Sequence, residues 1–141
     1  MPPVHPLLLD YDADRLAAAA RDADLRLVLL FGSRATGQAD EESDLDVAVL
    51  AGHRRVDVGA LYEALGPAFP GHELDVALLN DADPLFRYEV MRAARLLYGD
   101  PDLFAEQQAF AYRAFSDSAD LRALEGALSR KKLDRLLRAA T

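Results

Sequence analysis

Cysteine is absent from this 141-residue chain. That excludes disulfides and thiolate metal sites. Long apolar runs are missing too, and none approaches the ~18 residues of a membrane-spanning helix. Met1 to Pro6 lack the charged-then-apolar order of a secretory signal, so the chain is expected in the cytoplasm, with no membrane partner. Histidine is sparse: His5, His53 and His72 stand singly in predicted loops, which argues against a histidine metal site. Positive charge is in short supply. Sixteen Lys and Arg against 24 Asp and Glu leave a formal net charge of -8. So acidic a surface repels nucleic acid, and no DNA partner is expected. It also repels a free nucleotide unless a cation mediates the contact.

What is present is apolar enough to fold. Hydrophobic residues make up 51% of the chain, and 141 residues suit one domain with a real core. The charge is uneven. Asp40, Glu41, Glu42, Asp44 and Asp46 crowd one short segment. The far end reverses the sign with Arg130, Lys131, Lys132, Arg135 and Arg138 against Asp134 alone.

Patterning predicts the elements. Asp12 or Asp14 caps a first helix running to about Asp22, with Leu16, Ala20 and Ala23 on one face. Leu25 to Phe31 is a buried strand, and Gly32 to Gly37 a turn. Leu45 to Leu50 is a second strand. Asp57 caps a helix with Val58, Leu61, Leu65 and Phe69 inward, ended by Gly66, Pro67, Pro70 and Gly71. Leu74 to Leu79 is a third strand. Asp83-Pro84 starts a helix burying Phe86, Val90, Ala93 and Leu97. Asp100-Pro101 starts a long helix with Leu103, Phe110 and Ala114 along one stripe. The stripe resumes at Leu121, Leu124 and Leu128, and a short last helix begins near Arg130. Interleaved strands and helices followed by helix alone predict an α/β domain over residues 1–141, with a core of about 13–115 and a helical tail of about 116–141.

Two strands carry acids where alternation puts them on one face. Asp44 and Asp46 share a side, while Leu45, Val47 and Val49 face the core. Asp75 stands alone on its side of the third strand. If the two strands are neighbours, three carboxylates converge. Two like charges about 4 Å apart repel by roughly 4 kcal/mol at an effective dielectric of 20, so such a cluster calls for a cation. Mg²⁺ prefers hard carboxylate and phosphate oxygens. Two such ions can activate an attacking hydroxyl and stabilise a leaving pyrophosphate. An edge strand with solvated acids would show the same i, i+2 spacing. The turn after the first strand tips the balance, because Gly32 lets backbone approach a ligand and Ser33 offers an N–H and a hydroxyl to phosphate. The turn has neither the lysine of a P-loop nor the dinucleotide fingerprint.

Gly32-Ser33, ten intervening residues, Asp44-Leu45-Asp46 and later Leu74-Asp75-Val76 resemble the signature of the DNA polymerase beta-like nucleotidyltransferases. Gly32-Ser33-Arg34-Ala35-Thr36-Gly37 with Ser43-Asp44-Leu45-Asp46 is similar to the minimal nucleotidyltransferase (MNT) antitoxins. Pro84-Leu85, Arg87-Tyr88-Glu89-Val90 and Leu96-Leu97-Tyr98 are similar to a helix of that branch. The resemblance covers about Leu25 to Phe115. It implies a small mixed β-sheet flanked by helices, with ATP as substrate and Mg²⁺ as cofactor. It implies transfer of AMP to a hydroxyl, in the antitoxin branch a tyrosine of a partner HEPN-domain RNase toxin. Carried over, Gly32 and Ser33 hold the triphosphate, and Asp44 and Asp46 ligate the metals. Asp75 binds the catalytic metal and helps deprotonate the acceptor.

Other residues carry less. Arg34 could reach the triphosphate; Arg87 reads rather as solvated. Ser43 orders the loop before Asp44 rather than reacting. Tyr88, Tyr98 and Tyr112 sit at spacings of core or partner contact. The basic tail fits a solvated helix end, a docking helix through Leu133, Leu136 and Leu137, or a nucleic-acid contact that the acidic whole opposes. Two other functions compete with the adenylylating antitoxin. One is an antitoxin acting by binding alone, its acidic surface set against a basic RNase. The other is a small-molecule transferase of the aminoglycoside-modifying type.

Overall fold

The computed structural model describes residues 10–32, 44–53 and 55–117. Aspartates start its helices, because a short carboxylate satisfies backbone N–H groups left open in the first turn. Asp12 accepts from the Arg15 N–H at 3.1 Å and opens α1 (Ala13–Asp22). Asp57 does the same for α2 (Val58–Leu65) through Ala60. Asp83 accepts from Leu85 and Phe86 at the head of α3 (Pro84–Met91). Asp100 accepts from the Asp102 N–H at 2.9 Å where α4 (Pro101–Asp117) begins. Gly66-Pro67 turns the end of α2 into a 3-10 turn, Gly66–Ala68.

Four strands form one sheet: β1 (Leu25–Phe31), β2 (Leu45–Ala51), β3 (Leu74–Leu78) and β4 (Arg95–Gly99), in the order β3-β2-β1-β4. β1 runs antiparallel to β2 and to β4, and β2 is parallel to β3. The sheet is therefore mixed, with helices on both faces. On one face Leu16, Ala20, Leu61 and Leu65 pack against Val28, Leu30, Val47 and Val49. On the other, Val90, Met91 and Ala111 pack against Leu27, Leu29 and Ala48. Burial on both faces explains why β1 and β2 read as apolar runs rather than alternating ones. Leu27 to Leu30 are wholly buried, each worth about 1.5–3 kcal/mol relative to exposure.

Val58, expected inward on α2, is 39% exposed, and the structure corrects two larger expectations. The helix after Asp83 does not reach Leu97. It ends at Met91, and residues 95–99 form β4 instead. Val90 is buried as expected, but Phe86 is 38% exposed and Ala93 lies on the surface. The cause is tertiary: β1 needs a partner on the side away from β2, and Arg95 to Gly99 supplies it, with Leu29 opposite Leu96 and Leu27 opposite Gly99. The second correction concerns α4. Its inward stripe is Leu103, Phe104 and Ala111, one step round from the expected Phe110, which is 43% exposed. The Arg87 guanidinium carbon lies 5.1 Å from the centre of the Phe110 ring. That cation–π contact suits a half-exposed aromatic. Tyr88 stacks on Phe115, ring centres 4.0 Å apart. The turn beyond Gly32 and the expected helices after Asp117 lie outside the described residues.

Gly99 closes β4 with φ +122°. A Cβ there would overlap the Arg26 carbonyl oxygen and sit 2.7 Å from Leu27 Cδ2. Gly99→Ala is expected to cost about 2–3 kcal/mol through strain and overpacking. Urea denaturation measures it, and a midpoint equal to wild type would contradict the close approach.

Candidate active site

Three backbone features set Gly32, Asp46 and Asp75 at one end of the sheet. β1 ends at Phe31, which pairs with Asp46 of β2. Asp46 in turn faces Asp75 of β3 across the parallel ladder. Because β2 and β3 run the same way, the two acids occupy the second position of each strand, at one end of the sheet. Asp44 lies just before β2 and is exposed, Asp46 is half-buried, and Asp75 is exposed. Gly32 follows Phe31 with φ +76°. A side chain on Gly32 would collide with Asp46 Oδ2, so backbone and carboxylate meet closely there.

The charges act on one another. Partial burial raises the Asp46 carboxyl above its ordinary pKa of 3.8, and the charges of Asp75 and then Asp44 push it further. A carboxyl crowded in this way gains most from a cation. The donor set consists of hard oxygens and fits Mg²⁺. The convergence is looser than the strand pattern suggests. Among the described residues no three acidic or histidine side chains gather closely enough to enclose a metal unaided. Asp46 and Asp75 share a rung, and Asp44 stands at the rim. An ion held here would complete its shell with water or phosphate oxygens.

Sequence reasoning misses Tyr62. Its hydroxyl donates to Asp75 Oδ1 at 3.4 Å and accepts from the Val76 N–H at 3.0 Å. The tyrosine comes from α2, on the other side of the sheet, and reaches round the open edge of β3. Nothing local signals this, because thirteen residues separate Tyr62 from Asp75.

Arg87 is explained by structure alone. It donates to the carbonyls of Leu79 and Asn80, about 13 Å along the strand from Asp75 by strand rise. The Asn80 amide pairs with both backbone groups of Ala51 at 2.9 Å. Together these residues lock the far ends of β2 and β3. Tyr88 and Tyr98 are half-buried, while Tyr112 is 62% exposed. Ser33, Arg34 and Ser43 lie outside the described residues. A cavity of about 410 Å³ between α1 and α2, lined by Ala19, Ala23, Val56 and Ala60, holds none of the predicted site residues. No described helix is long and apolar enough to cross a membrane.

The mixed sheet and the paired strand carboxylates beside a glycine turn are what the sequence resemblance implies. The polymerase beta nucleotidyltransferase family model matches residues 16–102, and the chain belongs to that family. It is 28% identical over 112 residues to the protein adenylyltransferase MntA of Aphanizomenon flos-aquae, spanning 72% of this chain and 73% of that one. A solved mutant of the MntA–HpeT toxin–antitoxin is 26% identical, with a TM-score of 0.64, over 82% of this chain and 93% of that one. A toxin–antitoxin solved with AMP-PNP shares the fold at 24% identity and a TM-score of 0.63, over 86% of this chain and 98% of its own. So does the complex of a tri-AMPylated Shewanella oneidensis HEPN toxin with its MNT antitoxin, at 22% identity and a TM-score of 0.58, over 86% and 95%.

Proposed function

We propose that this chain is a Mg²⁺-dependent protein adenylyltransferase that acts in the cytoplasm as an antitoxin, moving AMP from ATP to a hydroxyl, a tyrosine, of a cognate HEPN RNase toxin. The observation that carries the reading is the Asp46–Asp75 rung beside Gly32 in a chain of the polymerase beta family. The similarity to the protein adenylyltransferase MntA supports a protein acceptor, and the tyrosine rests on the sequence resemblance.

In this reading the acceptor oxygen attacks the α-phosphorus of ATP. The new P–O bond forms as the bond to pyrophosphate breaks, and Asp75 receives the hydroxyl proton. Asp44, Asp46 and Asp75 would hold Mg²⁺, which would supply charge neutralisation at the attacking and leaving oxygens. Gly32 and Ser33 would hold the triphosphate, with Arg34 reaching it and Ser43 ordering the loop before Asp44 on the nucleotide side. The roles of Ser33, Arg34 and Ser43 rest on the sequence.

Intact mass of the adjacent gene's product, co-expressed with this chain or with its Asp44→Ala/Asp46→Ala variant, tests the reading. Mass steps of one or more AMP groups with wild type alone are expected. An unmodified partner that still co-purifies would replace catalysis with neutralisation by binding. No partner at all would redirect the search to small-molecule acceptors such as aminoglycosides.

A further inference from the structure

We infer that Tyr62 is a positioning residue for AMP transfer, fixing the Asp75 carboxylate from outside the sheet; the inference rests on the function proposed above. A phenol has one hydrogen to give. The Val76 N–H, on the side of β3 away from β2, donates to the Tyr62 oxygen at 3.0 Å. The hydroxyl therefore has one of its acceptor sites filled, and its only hydrogen lies toward Asp75 Oδ1 at 3.4 Å. Backbone, phenol and carboxylate form a short chain with one direction of donation.

The placement matters because β3 is the last strand on its side of the sheet among the described residues. Asp46 is flanked by strands, but Asp75 has a neighbour on one side only. It shares its rung with Asp46, so two like charges stand side by side. An exposed aspartate so placed would turn toward solvent. Tyr62 opposes this from α2, whose Leu61 and Leu65 are anchored in the core. The phenol is 39% exposed, so its burial explains little of its presence there. It also occupies the unpaired N–H of an edge strand, a group that otherwise invites pairing with another chain.

Residues that orient a ligating carboxylate without touching the metal typically cost 10–100-fold when removed. The test is Tyr62→Phe, which keeps the ring and removes one oxygen. Transfer to the partner protein is followed by mass at saturating ATP and Mg²⁺. Binding of Mn²⁺ in the presence of a non-hydrolysable ATP analogue is titrated in parallel. About a tenfold loss of kcat is expected, with KM for ATP within twofold of wild type, weaker Mn²⁺ binding and only the small fall in melting temperature that losing the Val76 N–H acceptor brings. Wild-type kcat and Mn²⁺ affinity in the variant would overturn the inference, and so would a loss matched by a fall in melting temperature that Tyr62→His repeats in equal measure. A wild-type protein that transfers no AMP would overturn the proposed function, and this inference with it.

Discussion

Asp46→Asn is expected to abolish AMP transfer, by at least about a thousandfold, while leaving the metal-free protein as stable as wild type or more so. Transition-state charge held by a metal is worth several kcal/mol, and each ~1.4 kcal/mol is tenfold in rate. The stability half follows from the direction of the Asp46 shift. Burial, Asp75 and Asp44 raise its carboxyl in the folded protein. A group with a raised folded pKa favours folding below its unfolded value, and that contribution is lost as pH rises through the folded value. At neutral pH the ionised carboxylate therefore works against the fold unless a cation is bound. Asparagine has almost the same shape and no charge to lose. In melts without divalent ions, the variant's advantage should be small near pH 4 and should grow toward pH 7. Adding Mg²⁺ with an ATP analogue should stabilise wild type and leave Asp46→Asn unmoved. A variant less stable than wild type at pH 7, or one that transfers AMP normally, would remove Asp46 from the proposed site.

The carboxylates are legible in the sequence because Asp44, Asp46 and Asp75 each lie beside or within an apolar run, where strand alternation sets them on the side away from the core residues. The first three strands are legible for the same reason: Leu25 to Phe31, Leu45 to Ala51 and Leu74 to Leu78 are apolar and bounded by turn residues. Capping aspartates mark the helix starts. β4 is not legible. Phe86, Val90, Ala93 and Leu97 also satisfy a helical period, and five residues are too few for periodicity to decide against them. The need of β1 for a second partner settles the matter, and that need exists only in three dimensions. Tyr62 escapes for a related reason. Its neighbour Leu61 fills the core stripe of α2, so Tyr62 reads as an outward residue of an amphipathic helix. Its partner becomes visible only when β3 is known to be the sheet edge. Phe110 reads as inward because it keeps helical spacing with Leu103 and Ala114. Arg87, held by two strand-end carbonyls, gives the ring a cation to face instead.

Gly32→Ala is the second large effect, and it separates site geometry from fold. Two costs coincide at this position. At φ +76° an L side chain is strained, by about 1–3 kcal/mol. The added methyl would also overlap Asp46 Oδ2 and approach Asp46 Cγ to 3.2 Å. The carboxylate would have to rotate off the rung it shares with Asp75. Misplacement of a reacting group by about 1 Å can cost 10²-fold, so transfer should fall at least about a hundredfold under conditions where the variant is fully folded. Two other glycines act as controls. Gly99→Ala carries similar strain far from the carboxylates, and it should lose stability but keep transfer wherever it remains folded. Gly66 has helical angles, φ -50° and ψ -48°, with nothing within 4 Å of an added Cβ. Gly66→Ala should be neutral or stabilising by about 0.4–1 kcal/mol, with transfer unchanged. Urea midpoints and transfer rates for the three variants give a pattern that simple destabilisation cannot reproduce. If Gly32→Ala loses rate only in proportion to its stability, as Gly99→Ala would, the close approach of this turn to Asp46 has no part in the chemistry.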